Sequence, residues 1–270
     1  MLLDSSLNRR HVLQMLAGGA AIGVSWAAGS GPSLATTVRI GSLIDEAKVL
    51  PTVAQRIDFI GGALRGSSYR GYTLIGGPRR PEQFVVRDEG FDCVTYCETV
   101  LAAATARDLG GFEANLKTIR YHNGVVAWRE RNHYFFDWSQ HNVENKTCRI
   151  LAMDGAVELQ KSVYWHRELG RRRFTMTVIP RATMLASMSK LAQGDIVGFI
   201  TSRPNLDYFH VGFVAFERGG ELLLRHASLS RHRVLDERMD RFLAANRVRY
   251  VTLLRAEEPA AGAVAEKKSG

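Results

Sequence analysis

The stretch that most restricts the fold runs from Gly194 to Ala227. It contains three short runs rich in β-branched and aromatic residues, at 195–201, 209–217 and 221–227, which predict three strands. Arg218-Gly219-Gly220 separates the last two, and glycine there supplies the backbone freedom of a tight turn. Residues 209–217 and 221–227 are therefore expected to form an antiparallel hairpin.

The first half of the chain carries the helical period instead. Leu43, Ile44, Ala47, Leu50, Val53, Ile57 and Ile60 share helical spacing, with Pro51 as a break or kink. Residues 61–77 read as a glycine-rich loop, 82–87 as a strand, and Asp88-Glu89-Gly90 as a turn. A strong helix is expected over 94–109, through Val94, Cys97, Val100, Leu101 and Ala104, with Asp92 as its N-cap and Gly110-Gly111 as its stop. Further helices are expected over 112–121, 181–191 and 237–246, with a final strand at 248–254. Residues 131–138 alternate polar and aromatic residues and read as a strand leading into a cleft. Early helices and a late meander imply an α+β fold, its helices packed on one side of an antiparallel sheet.

With 46% apolar residues in 270, the chain can bury a full core, and no repeat of 20–50 residues points to a solenoid. One domain is expected over 36–256, and 257–270 read as a disordered tail. Residues 1–35 read as an export signal: Arg9-Arg10, an Ala/Gly-rich apolar run from Met15 to Ala28, and small-residue cleavage sites at Ser33-Leu34-Ala35 and Ser25-Trp26-Ala27. The arginine pair resembles a bacterial twin-arginine signal. Residues 36–270 keep 34 basic and 26 acidic side chains, a net of +8. That excess favours anionic partners, and export argues against nucleic acid.

Cys93 follows Asp92 at an expected helix start, where the dipole would stabilise a thiolate and lower the thiol pKa from about 8.5. His210 and His226 lie on the two strands of the expected hairpin, toward the same end. Neighbouring strands bring side chains on one face within about 5 Å, so one imidazole can orient the other. Nucleophile, base and orienter are the parts of a cysteine–histidine triad.

The words around these residues carry a resemblance. Gly194-Asp195-Ile196-Val197-Gly198-Phe199, His210-Val211-Gly212-Phe213-Val214 and His226-Ala227-Ser228 resemble the end of NlpC-type papain-like cysteine peptidases. Gly66-Ser67-Ser68-Tyr69 and Phe91-Asp92-Cys93-Val94-Thr95 resemble the start of the same core. The longer Phe-Asp-Cys-Val-Thr form, with the aromatic segment from His133 to Trp138, is similar to the N-acetylmuramoyl-L-alanine amidase-like family. The resemblance spans about 42–254. It implies an NlpC-type α+β fold, helices on an antiparallel sheet or small barrel, with insertions between the nucleophile helix and the catalytic hairpin.

It also implies hydrolysis of an amide in peptidoglycan or muropeptides, with Cys93 as nucleophile, His210 as base and His226 as third polar residue. Tyr69, or Tyr72 in the same loop, would help hold the scissile carbonyl near the Cys93 N–H. Asp92 caps the helix and could face a substrate amine. Tyr134 and Trp138 could line a sugar or peptide pocket, although aromatic runs more often belong to a core. Ser228 stands two residues after His226 and could equally satisfy a turn. No metal or other cofactor is required. The favoured bond joins muramic acid to L-Ala. The alternatives are a γ-D-glutamyl bond in the stem peptide, a zinc amidase, or a wall-binding module without catalysis. Cys97 reads as a small buried thiol, and its pairing with Cys148 is open. The expected location is the periplasm, with the membrane met only during export.

Overall fold

The computed structural model describes residues 34–164 and 166–259. The expected helix at 42–64 resolves into two, α1 (Leu34–Ala47) and α2 (Val53–Ala63). Pro51 lies in the break, and Thr52 caps α2 in a reciprocal capping box with Gln55. A short strand β1 (Ser68–Tyr69) follows, then a separate hairpin of β2 (Ile75–Gly77) and β3 (Arg80–Gln83), and β4 (Gly90–Phe91). The strand expected at 82–87 therefore lies earlier and is shorter.

α3 (Cys93–Ala104) starts where Asp92 predicts, and every residue from Thr95 to Ala104 is buried. A helix buried all round belongs in the centre of a core. It ends at Ala104, earlier than expected, because Asp108 starts a new helix, α4 (Leu109–Arg120). The Asp108 carboxylate accepts the Gly111 N–H at 2.8 Å, so the glycine pair read as a stop forms a first helical turn.

The strand expected at 131–138 is another correction. Residues Phe135–Glu144 form α5, with Phe135, Trp138, Ser139 and Asn142 buried. That spacing is the helical period, and the aromatic alternation covered too few residues to outweigh it.

The rest is strand-rich: β5 (Cys148–Ile150), β6 (Val157–Val163), β7 (Arg172–Pro180), the short helix α6 (Arg181–Ala186), β8 (Ile196–Ile200), β9 (Tyr208–Phe216), β10 (Leu222–Ser228), β11 (Arg233–Arg238), α7 (Met239–Ala245) and β12 (Tyr250–Ala256). Ten strands make one curled sheet in the order β4-β1-β11-β10-β9-β8-β12-β7-β6, with β5 also on β12. All its pairs are antiparallel except β1 with β4.

The fold is thus α+β, but helices cover both faces of the sheet. Ile196, Ile200, Val211 and Phe213 join the core made with α1 to α4, while Val197, Phe199, Val214 and Leu224 join a second core with α6 and α7. β8 is buried at all five residues for that reason, since strands covered on both sides need apolar side chains in both directions.

The described residues fall in one contact unit. Residues 1–33 of the expected export signal and 260–270 of the expected tail lie outside them. α1 begins at Leu34, inside the expected signal, and the chain stays tied down past 256. The Glu257 N–H donates to the Thr147 carbonyl, and Glu258 pairs with Arg56 at 2.6 Å. Among the described residues no helix is long and apolar enough to cross a membrane.

Candidate active site

Cys93 is the first residue of α3, and the cap decides which backbone groups it meets. The Asp92 carboxylate accepts the Thr95 N–H at 2.8 Å and the Thr95 hydroxyl at 2.9 Å, while the Asp92 N–H donates to that hydroxyl at 3.0 Å. The cap thereby uses Thr95 and leaves the N–H groups of Cys93 and Val94 directed at the sulfur. A third N–H reaches the sulfur from Val211, the residue after His210.

The sheet brings that residue there. Phe199 pairs with His210 and Ile200 with Tyr208, so Phe209 is an extra residue in β9 just before the histidine. Such bulges re-aim the side chains beside them. On the other side, the ladder with β10 runs from Leu222↔Phe216 to Arg225↔Phe213. Continued by one step, it sets Gly212 opposite His226 and His210 diagonal to it. The His210 Nε2 lies 2.6 Å from the His226 Nδ1, with the rings perpendicular.

Arg225 anchors the opposite face of β10. Its guanidinium binds Asp236 at 2.8 and 2.9 Å and Asp58 of α2 at 2.6 Å. The Tyr96 hydroxyl of α3 donates to the Gly61 carbonyl of α2 at 2.9 Å. Both α3 and β10 are therefore fastened to α2, which fixes the thiol and the histidines in one frame.

The electrostatics differ from the expected lowered thiol. Burial pushes the Cys93 pKa up to about 12, helped by the Asp92 carboxylate, and the three N–H groups only partly oppose this. Burial among Phe199, Phe209 and Phe242 holds His210 well below the ordinary histidine value, and the His226 ring adds to the depression. His226 is lowered by burial to about 4, with Asp236 opposing. The resting thiol and both imidazoles are uncharged near neutral pH, because desolvation outweighs the helix terminus.

Tyr69 lies on β1, paired with Phe91 of β4, and senses Cys93 and Asp92. Burial raises its phenol well above the ordinary value, so it is a hydrogen-bond donor at any working pH. Tyr72, the alternative in the same loop, is 91% exposed with a left-handed backbone.

The other expected substrate residues have partners of their own. Trp138 is 1% exposed and stacks on Phe135 at 5.0 Å, which makes it core. Tyr134 is buried just before α5, with the Arg172 guanidinium over its ring. The Ser228 hydroxyl accepts the Arg231 N–H at 3.4 Å and meets the Ser230 hydroxyl at 3.2 Å. All three cysteines are free, with Cys97 and Cys148 buried. Among the described residues no three or more His, Cys, Asp or Glu side chains are grouped to hold a metal ion.

Two residues near the site escaped the sequence reading. A Cβ on Gly212 would meet His226 and its strand, and the Glu237 carboxylate stands 3.8 Å from the His226 Nε2. Gly212 sat inside a recognised motif. Glu237 falls at the start of an expected helix, and Val234-Leu235-Asp236-Glu237 does not alternate apolar with polar residues, so nothing local marks it as strand.

A curled antiparallel sheet with a buried helix that presents a cysteine at its N-terminus defines an α+β protein. Residues 59–248 match the family model of AmiA-like, N-acetylmuramoyl-L-alanine amidase-like proteins, and the chain belongs to that family. Its fold is similar to that of a Legionella pneumophila protein (TM-score 0.73, 22% identity, covering 83% of this chain and 96% of that one). It is also similar to an N-acetylmuramoyl-L-alanine amidase from Bacteroides uniformis (TM-score 0.65, 22% identity, covering 82% and 100%). A Bacteroides fragilis protein named as a candidate xylanase shares the fold as well (TM-score 0.58, 22% identity, covering 72% and 98%). Among curated proteins none matches the sequence.

Proposed function

We propose that the chain is a cysteine amidase of the NlpC-type papain-like class, that its catalytic domain spans 36–256, and that it cleaves the bond between muramic acid and L-alanine in peptidoglycan or its fragments. The observation that carries this reading is the 2.6 Å contact of His210 with His226, on a strand whose next residue, Val211, turns its N–H toward the Cys93 thiol.

The chemistry follows from which atoms are engaged. His226 occupies Nε2 of His210, so Nδ1 is the nitrogen left to act on the thiol. As the sulfur attacks the lactyl carbonyl of muramic acid, its proton passes to Nδ1 and the carbonyl oxygen becomes an anion. The N–H groups of Cys93 and Val94 and the Tyr69 hydroxyl are the donors available to that oxygen, and one such donor typically contributes about 3 kcal/mol. The His210 imidazolium then gives its proton to the departing alanine nitrogen, leaving a thioester on Cys93. Water, deprotonated by His210, hydrolyses the thioester and restores the thiol. Starting from neutral partners, attack and proton transfer occur together.

Defined muropeptides with mass spectrometry test the bond. Release of the intact stem peptide from the sugar is expected. Release of L-Ala-D-Glu instead would identify a γ-D-glutamyl endopeptidase, and no cleavage of either bond would leave a wall-binding module. The Arg9-Arg10 start supports periplasmic export by a twin-arginine route. A reporter fused after residue 35 should reach the periplasm, and replacing both arginines by lysine should stop it.

A further inference from the structure

The His226 Nε2 is buried, yet no hydrogen-bond partner reaches it among the described residues. A buried ring nitrogen left without a partner costs about 1–3 kcal/mol, so its surroundings need a reason. The nearest acidic group is the Glu237 carboxylate, with Oε1 at 3.8 Å. The sheet register brings it there. Leu224 pairs with Glu237 and His226 with Leu235 across β10 and β11, and paired residues share a face. Glu237 is therefore a diagonal neighbour of His226 on the same face of the sheet as His210, on the opposite flank of β10, within reach of a long side chain. A small rotation of its flexible stem closes the gap to hydrogen-bonding distance.

The need for that contact lies in the tautomers. Each neutral imidazole carries one hydrogen. If His226 carries it on Nε2, its Nδ1 accepts from the His210 Nε2, and the His210 Nδ1 is bare and able to take the thiol proton. If His226 carries it on Nδ1, it donates to the His210 Nε2. The hydrogen of His210 is then forced onto Nδ1, the nitrogen that the proposed mechanism gives to the thiol, and blocks proton transfer. One hydrogen on one buried ring thus decides whether the other ring can act as a base.

We propose that Glu237 is a positioning residue whose carboxylate accepts the His226 Nε2–H and so fixes both rings in the productive tautomer. The role rests on the reading of Cys93 and His210 given above. Glu237 acts through His226, the group its carboxylate faces. Burial raises its carboxyl while the Arg231 guanidinium opposes the rise, so the negative charge has a local counterweight. In serine–histidine–aspartate triads, losing the carboxylate that sets the tautomer lowers kcat by about 10⁴, which bounds the effect from above.

The test compares the full-length wild type with Glu237→Leu, which keeps the bulk and removes the acceptor, and Glu237→Gln, which keeps an oxygen. Nitrogen-15 shifts of labelled histidines in the resting protein report each tautomer without any substrate. In the wild type, His226 and His210 should both carry hydrogen on Nε2. In Glu237→Leu the Nδ1–H form should appear on both rings together, kcat should fall 10- to 1000-fold, and KM should stay within about twofold. Glu237→Gln should recover part of kcat. Wild-type tautomers in Glu237→Leu overturn the proposal, whatever the activity. A Cys93→Ala protein that still cleaves sinks the nucleophile reading instead, and the nitrogen shifts still judge Glu237.

Discussion

Gly212→Ala is the substitution whose consequence the geometry fixes most narrowly. Gly212 lies on β9 two residues after His210. A Cβ built there would stand 2.7 Å from the Leu224 Cδ1, 2.9 Å from the Arg225 carbonyl oxygen and 3.0 Å from the His226 Cβ. Carbon atoms rest at about 3.5–4.0 Å, so the overlap with the two carbons is about 0.5–1.3 Å. Leu224 is wholly buried under α7, and the Arg225 carbonyl is backbone, so neither yields by a simple rotation. β10 must move away from β9, and His226 moves with it. The His210–His226 contact of 2.6 Å would then open beyond the roughly 3.2 Å limit of a good hydrogen bond. Overpacking of this kind costs about 1–3 kcal/mol. Displacing a catalytic group by about 1 Å costs on the order of 10² in rate. Urea unfolding should show the first effect, and kcat/KM on a muropeptide the second. Gly219→Ala is the control, because nothing lies within 4 Å of a Cβ there, and both quantities should stay at the wild-type level. A Gly212→Ala protein with wild-type turnover and an unchanged midpoint refutes the reasoning.

Asp92→Asn keeps the helix cap and removes the charge that helps raise the thiol. Alkylation of Cys93 by iodoacetamide at pH 8, read by peptide mapping, should accelerate, and an unchanged rate rejects the charge effect; Asp92→Ala should also cost about 1–2 kcal/mol in urea. Glu98 and Arg120 form an ion pair at 2.7 Å with both side chains 3% exposed. Glu98→Gln leaves a buried guanidinium uncompensated and should cost about 3–5 kcal/mol, and a loss under about 1 kcal/mol contradicts that. His226 binds its proton near 6.5 when unfolded and near 4 when folded, so acid favours the unfolded chain. Stability present above pH 6.5 should be lost as pH falls toward 4, by about 3 kcal/mol from this residue. His226→Asn should flatten that part of the pH profile, and an equal slope in both proteins would exclude His226 as a source.

Local chemistry made the hairpin of β9 and β10 and the start of α3 legible in the sequence. Arg218-Gly219-Gly220 marks the turn between the strands, and Asp92 followed by Thr95 makes a two-way cap. Errors arose where two local signals competed. Gly110-Gly111 looked like a helix stop until Asp108 is recognised as a cap for the helix that contains them. The aromatic alternation from Arg131 to Trp138 hid a helical face that continues to Asn142. Phe174, Met176 and Val178 alternate with polar residues and mark β7, whose partner β6 has only Leu159 and Val163 as its more buried apolar positions and no such clear signal. Which faces are covered is a tertiary property, and the burial of β8 on both sides revealed helices where one layer was expected. At the site, spacing brought Cys93, His210 and His226 into consideration. It could not reveal that desolvation outweighs the helix dipole at the thiol, nor that Trp138 lies in the core. Glu237 depends on the register of β11 with β10, which no single segment encodes.

Intact-protein mass spectrometry after an acid quench probes the covalent step most directly. During turnover of a muropeptide, a muramoyl thioester should appear and map to the peptide that contains Cys93. Cys93→Ala should lose both the adduct and the release of stem peptide. Release at the wild-type rate from Cys93→Ala, or an adduct on any other residue, would contradict a cysteine mechanism at this site.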